Sequence, residues 1–107
     1  MVVNRFEIWL VQLDPTKGSE ISKTRPCLVI SPDTVNVFLN TVIVSPLTSS
    51  RKKYPTRVNC LFQNHEGQIA LDQSRAVDKS RLTRKIGILE NAVCEEVCQV
   101  LQSLFQY

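Results

Sequence analysis

The sequence predicts a mainly β domain: a small, strongly curved, barrel-like sheet that carries one helix at its C-terminal end. Three observations lead to this fold class. Short apolar runs recur between residues 5 and 89, turns rich in Pro, Asn, Asp and Ser separate them, and the one stripe with helical spacing lies after residue 90. With 107 residues, 43% of them hydrophobic, the chain suits one compact domain over residues 1–107.

The apolar runs predict five to seven strands. The segment 5–13 is rich in β-prone residues and stops at Asp14 and Pro15, and the segments 27–30 and 41–44 are short apolar runs bounded by prolines. The later strands are predicted at 57–62, 68–71 and 74–77, with a further short segment at 85–89. A turn is expected at 64–67 and a tight helical turn at 78–81.

A single amphipathic helix is predicted at the C-terminal end. Asn91 can cap it, and its apolar side chains recur every three or four residues at Val93, Val97, Leu101, Leu104 and Phe105. This stripe is expected to pack on the sheet.

Composition limits the possible environments and chemistries. A net charge of +3 permits an anionic partner without requiring one. The sequence shows neither a secretory signal nor a membrane span, so a cytoplasmic protein is expected, with its four cysteines reduced. We expect no metal site, because the only histidine, His65, falls in a predicted turn away from Cys94 and Cys98. A Ser-His-Asp triad is not expected from a single histidine in a predicted turn, and no glycine-rich phosphate loop appears in the sequence.

Arg25 and Thr48 each stand at the edge of a predicted strand. A guanidinium offers planar, bidentate donors to a phosphate and keeps its charge, and a threonine hydroxyl can hydrogen-bond a phosphate oxygen. From the residues alone, Arg25 could equally form a surface ion pair with Glu20, and Thr48 could cap a turn. Position in the sequence does not decide between these interpretations.

Asp72 follows an apolar strand, where partial burial would raise the pKa of a carboxyl group and suit it to proton abstraction. A structural hydrogen bond is the alternative. Basic residues also cluster beside the aromatic residues Tyr54 and Phe62, a combination that suits single-stranded nucleic acid but also an ordinary solvated surface. The two basic clusters are Arg51, Lys52, Lys53 and Arg57, and Lys79, Arg81, Arg84 and Lys85.

A series of short motifs resembles the MazF/PemK toxins of toxin–antitoxin systems and extends over nearly the whole chain. The motifs are Ile8-Trp9, residues 14–20 (DPTKGSE), Arg25-Pro26, residues 29–32 (VISP), residues 44–48 (VSPLT), Tyr54-Pro55 and residues 71–73 (LDQ), followed by Arg75, Val77, Asp78, Arg81 and Leu82. One departure is Phe6-Glu7, where the family usually has Gly-Asp.

The resemblance implies an SH3-like β-barrel with a C-terminal helix, a homodimer, and sequence-specific, metal-independent cleavage of single-stranded RNA without a cofactor. It also implies a cognate antitoxin. Arg25 and Thr48 correspond to the family's catalytic residues, and either Glu20 or Asp72 would be the base. Residues expected to contact RNA are Lys17, Ser19, Ser49, Arg51, Lys52, Lys53, Gln73 and Arg75.

The expected reaction is in-line attack of the RNA 2′-hydroxyl on the adjacent phosphate, which leaves a 2′,3′-cyclic phosphate and a 5′-hydroxyl. The alternative is a toxin of the same fold that binds and inhibits DNA gyrase without cutting RNA. Gyrase-directed relatives end in Trp-Gly-Ile, whereas this chain ends in Phe105-Gln106-Tyr107. The RNA sequence recognised is not readable from the residues.

Overall fold

The computed structural model describes residues 1–107 and contains seven strands and two helices. In chain order these elements are β1 (Glu7–Gln12), β2 (Thr24–Val29), α1 (Asp33–Asn36), β3 (Thr41–Thr48), β4 (Arg57–Phe62), β5 (His65–Ala70), β6 (Arg75–Asp78), β7 (Leu82–Ile88) and α2 (Asn91–Leu104). Single 3-10 turns at Leu71–Gln73 and Lys79–Arg81 flank β6.

The strands form one antiparallel sheet in the order β4-β5-β3-β2-β1-β7, and β6 pairs separately with the first half of β3. The sheet curls until its two outer strands approach each other. A Cβ added to Gly87 of β7 would lie only 2.7 Å from the ring of Phe62 at the end of β4. The prediction of a mainly β, barrel-like sheet with one C-terminal helix packed on it is confirmed.

Two apolar clusters lie on the two faces of the sheet, because successive residues of a strand point to opposite sides. In β2, Leu28 belongs to the cluster that α2 covers with Cys94 and Val97, whereas Cys27 and Val29 belong to the cluster on the opposite face. Burial on both faces explains why these strands read as continuous apolar runs.

Two strands extend further than the sequence predicts, and both extensions run through a proline. β2 begins at Thr24 and so includes Arg25 and Pro26, and β3 continues past Pro46 to Thr48. Along β3, Pro46 falls between the last residue paired with β6 and the first paired with β5. Its missing N–H therefore faces no ladder partner, and a proline is tolerated there.

The turn predicted at 64–67 lies earlier in the chain and is shorter. Gln63 and Asn64 form it, with φ of 50° and 63°, and β5 starts at His65. Two left-handed residues are the mark of a tight hairpin turn, but the usual Asn-Gly signal is missing here. His65 is consequently a strand residue. The sequence also gave no signal for α1, which has only four residues, and Glu90 rather than Asn91 precedes α2.

Phe6 has a φ of 70°, in the left-handed region that favours glycine. This is the position at which the toxins that the chain resembles usually have Gly. The substitution therefore affects the turn that leads into β1, and the Phe6 side chain packs against the cluster beneath α2.

Candidate active site

Arg25 and Thr48 come together at the open ends of β2 and β3. The two strands are antiparallel, with Leu28 opposite Ser45 and Cys27 opposite Pro46. Two further steps in the same register align Arg25 with Thr48. Both residues line one open cavity of about 230 Å³, so the structure unites two residues that are far apart in the chain.

The Arg25 guanidinium is held at one nitrogen and free at the other two. Its Nε donates a 2.9 Å hydrogen bond to the carbonyl oxygen of Ser22, while the terminal nitrogens have no partner in the chain. The ion pair with Glu20 that the sequence allowed does not form, because the Glu20 carboxylate accepts a hydrogen bond from the backbone N–H of Lys17 instead. Arg25 therefore presents a fork of donors that suits a phosphate.

The Thr48 hydroxyl accepts a 3.2 Å hydrogen bond from the backbone N–H of Ser50. This is the turn-capping role that the sequence left open. It uses only an acceptor position, so the hydroxyl proton can still be donated to a ligand in the cavity. Ser49, next in the chain, lines the same cavity.

A glycine brings β5 close to Thr48. A Cβ added to Gly67 would lie 2.6 Å from the Thr48 carbonyl oxygen, a distance that no side chain could occupy. Gly67 therefore fixes the separation of β3 and β5 beside the cavity. Gly67 was not among the predicted site residues, and its only signal in the sequence is a glycine within a strand-like run.

His65 and Glu66, at the start of β5, line the Arg25 cavity as well. Both are exposed, and Glu66 pairs with Arg51 at 3.3 Å. From the sequence, His65 was expected in a turn. The hairpin turn at Gln63 and Asn64 instead places it at the rim of the site.

Glu20 and Asp72, the two predicted bases, lie elsewhere. They line a separate cavity of about 310 Å³ together with Gln73 and Arg75. The four residues that the resemblance joins into one catalytic group are therefore divided between two cavities within this single chain.

The raised pKa predicted for Asp72 is wrong. Hydrogen bonds from the Arg57 guanidinium hold the pKa of this carboxyl group below its ordinary value of 3.8, although partial burial opposes the shift. Arg57 donates from Nε at 2.7 Å and from Nη2 at 3.2 Å, and the Thr56 hydroxyl adds a bond of 3.0 Å. Both carboxylate oxygens are engaged, which is the structural alternative that the sequence left open.

The basic segment between β3 and β4 is exposed, as predicted, but it is tied to the sheet. Buried Gln68 of β5 accepts a 2.9 Å hydrogen bond from the backbone N–H of Lys52 and donates a 2.8 Å bond to the Lys52 carbonyl oxygen. Around this anchor, Arg51, Lys52, Lys53, Tyr54 and Arg57 line a cavity of about 640 Å³. Gln68 is a second positioning residue that the sequence did not reveal.

The remaining predicted RNA contacts either lie on the loop between β1 and β2 or hydrogen-bond to it. Lys17 and Ser19 are exposed at its tip. Gln73 accepts a hydrogen bond from the backbone N–H of Ile21, and Arg75 donates one to the carbonyl oxygen of Leu13, so these two side chains brace the loop.

The four cysteines are free thiols, three of them buried. Burial raises the pKa of the Cys27 thiol to about 12, which keeps it protonated and unreactive. No three His, Cys, Asp or Glu side chains form a cluster that could hold a metal ion. None of the helices is both long enough and apolar enough to cross a membrane.

The chain belongs to the family described as PemK-like, MazF-like toxins of type II toxin–antitoxin systems, whose model matches residues 4–105. Endoribonuclease EndoA of Bacillus subtilis is 36% identical over 108 aligned positions, which cover 95% of this chain and 93% of the relative.

Two solved structures from Deinococcus radiodurans share the fold. MazF superposes with a TM-score of 0.87 at 28% identity, covering 100% of this chain and 99% of that chain. A MazE-MazF structure gives a TM-score of 0.78 at 29% identity, covering 97% and 96% of the respective chains. The family resemblance seen in the sequence motifs is confirmed.

Proposed function

We propose that this protein is the toxin of a toxin–antitoxin pair and acts as an endoribonuclease on single-stranded RNA. The observation that carries the proposal is the cavity that Arg25 and Thr48 line together, in which the terminal nitrogens of Arg25 have no partner in the chain. The endoribonuclease name of the Bacillus relative supports a nuclease rather than the gyrase-binding alternative.

In the proposed reaction the RNA 2′-hydroxyl attacks the adjacent phosphorus in line and expels the 5′-oxygen. Arg25 pairs with the non-bridging oxygens as negative charge grows on them, and the Thr48 hydroxyl donates to one of them. The products are a 2′,3′-cyclic phosphate and a 5′-hydroxyl. No step requires a metal or cofactor, because a fixed guanidinium supplies the compensating charge.

Of the two carboxylates first considered as the base, Asp72 is engaged by Arg57 and Glu20 faces a different cavity. We assign Asp72 a positioning role, since its ion pair joins β4 to the 3-10 turn before β6. Glu20 similarly holds the tip of the β1–β2 loop through the backbone of Lys17.

The RNA strand is proposed to run from the Arg25 cavity onto the basic segment anchored by Gln68. Arg51, Lys52 and Lys53 would hold flanking phosphates, and the exposed ring of Tyr54 offers a stacking face beside them. Ser49 lies between the two regions. On the other side, Lys17 and Ser19 would contact the strand from the loop that Gln73 and Arg75 brace.

We also propose a homodimer in the cytoplasm that a cognate antitoxin covers. The apolar side chains between α1 and β3 are unusually exposed for a monomer, with Val37 at 72%, Phe38 at 84% and Leu39 at 49%. A light-scattering mass equal to twice the 12.2 kDa of the chain would support the dimer, and Phe38→Ser should shift it to the monomer.

The decisive experiment incubates the purified protein with a long single-stranded RNA in excess EDTA and maps the cut ends by primer extension. Arg25→Ala is expected to reduce cleavage roughly 100- to 1000-fold. Gln102→Ala is the control, because Gln102 is an exposed residue on α2 outside both cavities.

Cuts at one short motif, lost in Arg25→Ala and kept in Gln102→Ala, would establish a metal-free nuclease. Intact RNA would contradict the proposal and direct attention to a gyrase-inhibition assay.

A further inference from the structure

His65 lines the cavity of Arg25 and Thr48, whereas the two predicted bases, Glu20 and Asp72, line a different one. Resting on the proposed nuclease function, we infer that the neutral imidazole of His65 is the general base that takes the proton of the attacking 2′-hydroxyl. The residue lines the same cavity as Arg25 and Thr48 and is exposed to an incoming ligand.

The chemistry of the cavity supports this assignment by elimination. A guanidinium cannot accept a proton near neutral pH, and a threonine hydroxyl is too weak a base. The carboxylate of Glu66 is paired with Arg51, and Cys60 is a buried thiol. His65 is the only histidine of the chain, and imidazole is the side chain that changes charge between about pH 5 and 8.

The hairpin gives His65 a defined position. It pairs with Phe62 across the first rung after the two-residue turn, so its backbone is held by β4. Two residues further along β5, Gly67 presses against the Thr48 carbonyl oxygen. The position of His65 relative to Thr48 is therefore set by strand pairing and not by a flexible loop.

Proton transfer to His65 accompanies the formation of the new bond to phosphorus. The 2′-oxygen forms a bond to phosphorus while its proton passes to an imidazole nitrogen of His65, and the bond from phosphorus to the 5′-oxygen breaks. The departing 5′-oxygen takes a proton from solvent, and the imidazolium releases its proton to solvent before the next turnover. No oxidant, reductant or metal enters this balance.

The charges around His65 are mixed. Arg25 faces the cavity from β2, Glu66 is its neighbour on β5, Arg51 reaches Glu66 from the segment after β3, and the Cys60 thiol lies on β4. Because Glu66 is already paired with Arg51, Arg25 is the charge without a counter-ion.

The test compares wild type with His65→Gln, which keeps polarity and approximate size but cannot take up a proton. Single-turnover cleavage of a short RNA is measured from pH 5 to 9. Thermal unfolding curves are recorded to verify that both proteins are folded under these conditions. Wild type should gain rate as pH rises from about 5 to 7. His65→Gln should be roughly 100-fold slower or more at pH 7.5 and should lose this rise.

A binding measurement separates proton transfer from RNA contact. The same RNA with a 2′-deoxy group at the cleavage site cannot react, and its Kd should change less than threefold in His65→Gln. A weakened Kd with an unchanged pH profile would overturn the assignment and make His65 a contact residue, as would a rate within threefold of wild type.

Gln102→Ala, an exposed change on α2 outside the Arg25 cavity, is the control and should leave the rate and the pH profile unchanged. If wild type cleaves RNA and His65→Gln cleaves it equally well, only the assignment of His65 as the base is contradicted. RNA left intact by wild type defeats the proposed nuclease itself.

Discussion

Replacing Asp72 by Asn tests whether this carboxylate supports the fold or transfers a proton. Asn keeps the size of Asp but carries no charge, so the Arg57 guanidinium loses its counter-ion. The Arg57 side chain is only 8% exposed, and water cannot fully replace the lost partner. We therefore expect the variant to be less stable at neutral pH but still able to cleave RNA.

The size of the effect follows from burial. Removing one partner of a buried ion pair costs about 3–5 kcal/mol, whereas an exposed pair contributes at most about 1 kcal/mol. The Asp72 side chain is 29% exposed, which places this pair between the two cases. We expect a loss of about 2 kcal/mol in the free energy of unfolding, and for a chain of this size a decrease in Tm of roughly 8 °C.

The pH dependence gives a second check with a definite sign. Arg57 lowers the pKa of Asp72 below 3.8 in the folded state. The stabilisation is therefore present in full above the ordinary pKa and is lost as pH falls through the lower, folded value. Urea unfolding of wild type and Asp72→Asn should differ at pH 7 and converge as the pH is taken well below 3.8.

Asp78→Asn is the matched control, because Asp78 is exposed and only accepts a hydrogen bond from the Ser80 backbone N–H, which Asn can also accept. It should change stability by less than about 0.5 kcal/mol. Equal stability of Asp72→Asn and wild type at pH 7 would refute the reasoning. A folded Asp72→Asn protein that cleaves RNA more than 100-fold slower would restore Asp72 as the base.

Three further changes test the surroundings of the cavity. Gly67→Ala should slow RNA cleavage at least tenfold and lower the free energy of unfolding by about 1–3 kcal/mol, because its Cβ would meet the Thr48 carbonyl oxygen. Cleavage kinetics and thermal unfolding measure the two effects, and a variant equal to wild type in both would argue against the close approach. Gln63→Asn should stabilise by about 0.5 kcal/mol in urea unfolding, since Asn adopts the left-handed φ of 50° more readily; a loss of stability would contradict this. Lys52→Ala combined with Lys53→Ala should lower the salt slope of RNA binding by roughly 1.4, as measured by fluorescence anisotropy, and an unchanged slope would remove both lysines from the interface.

The local pattern of the sequence determined the strands and the C-terminal helix. Alternation and proline boundaries identified the segments that became β1 to β6, and the Val93 and Val97 stripe identified α2. These features depend on neighbours within a few residues, so they are visible without the fold. The motifs around Arg25 and Thr48 were equally local, which is why they revealed the family.

Pairings between distant segments were decided only by the tertiary structure. Asp72 looked like a candidate base until strand register brought Arg57 against it, fifteen residues away in the chain. His65 looked like a turn residue until the hairpin closed at Gln63 and Asn64 and carried it to the rim of the Arg25 cavity. A side chain's pKa, partners and access to a ligand depend on which strands lie beside it, and local composition does not encode that arrangement.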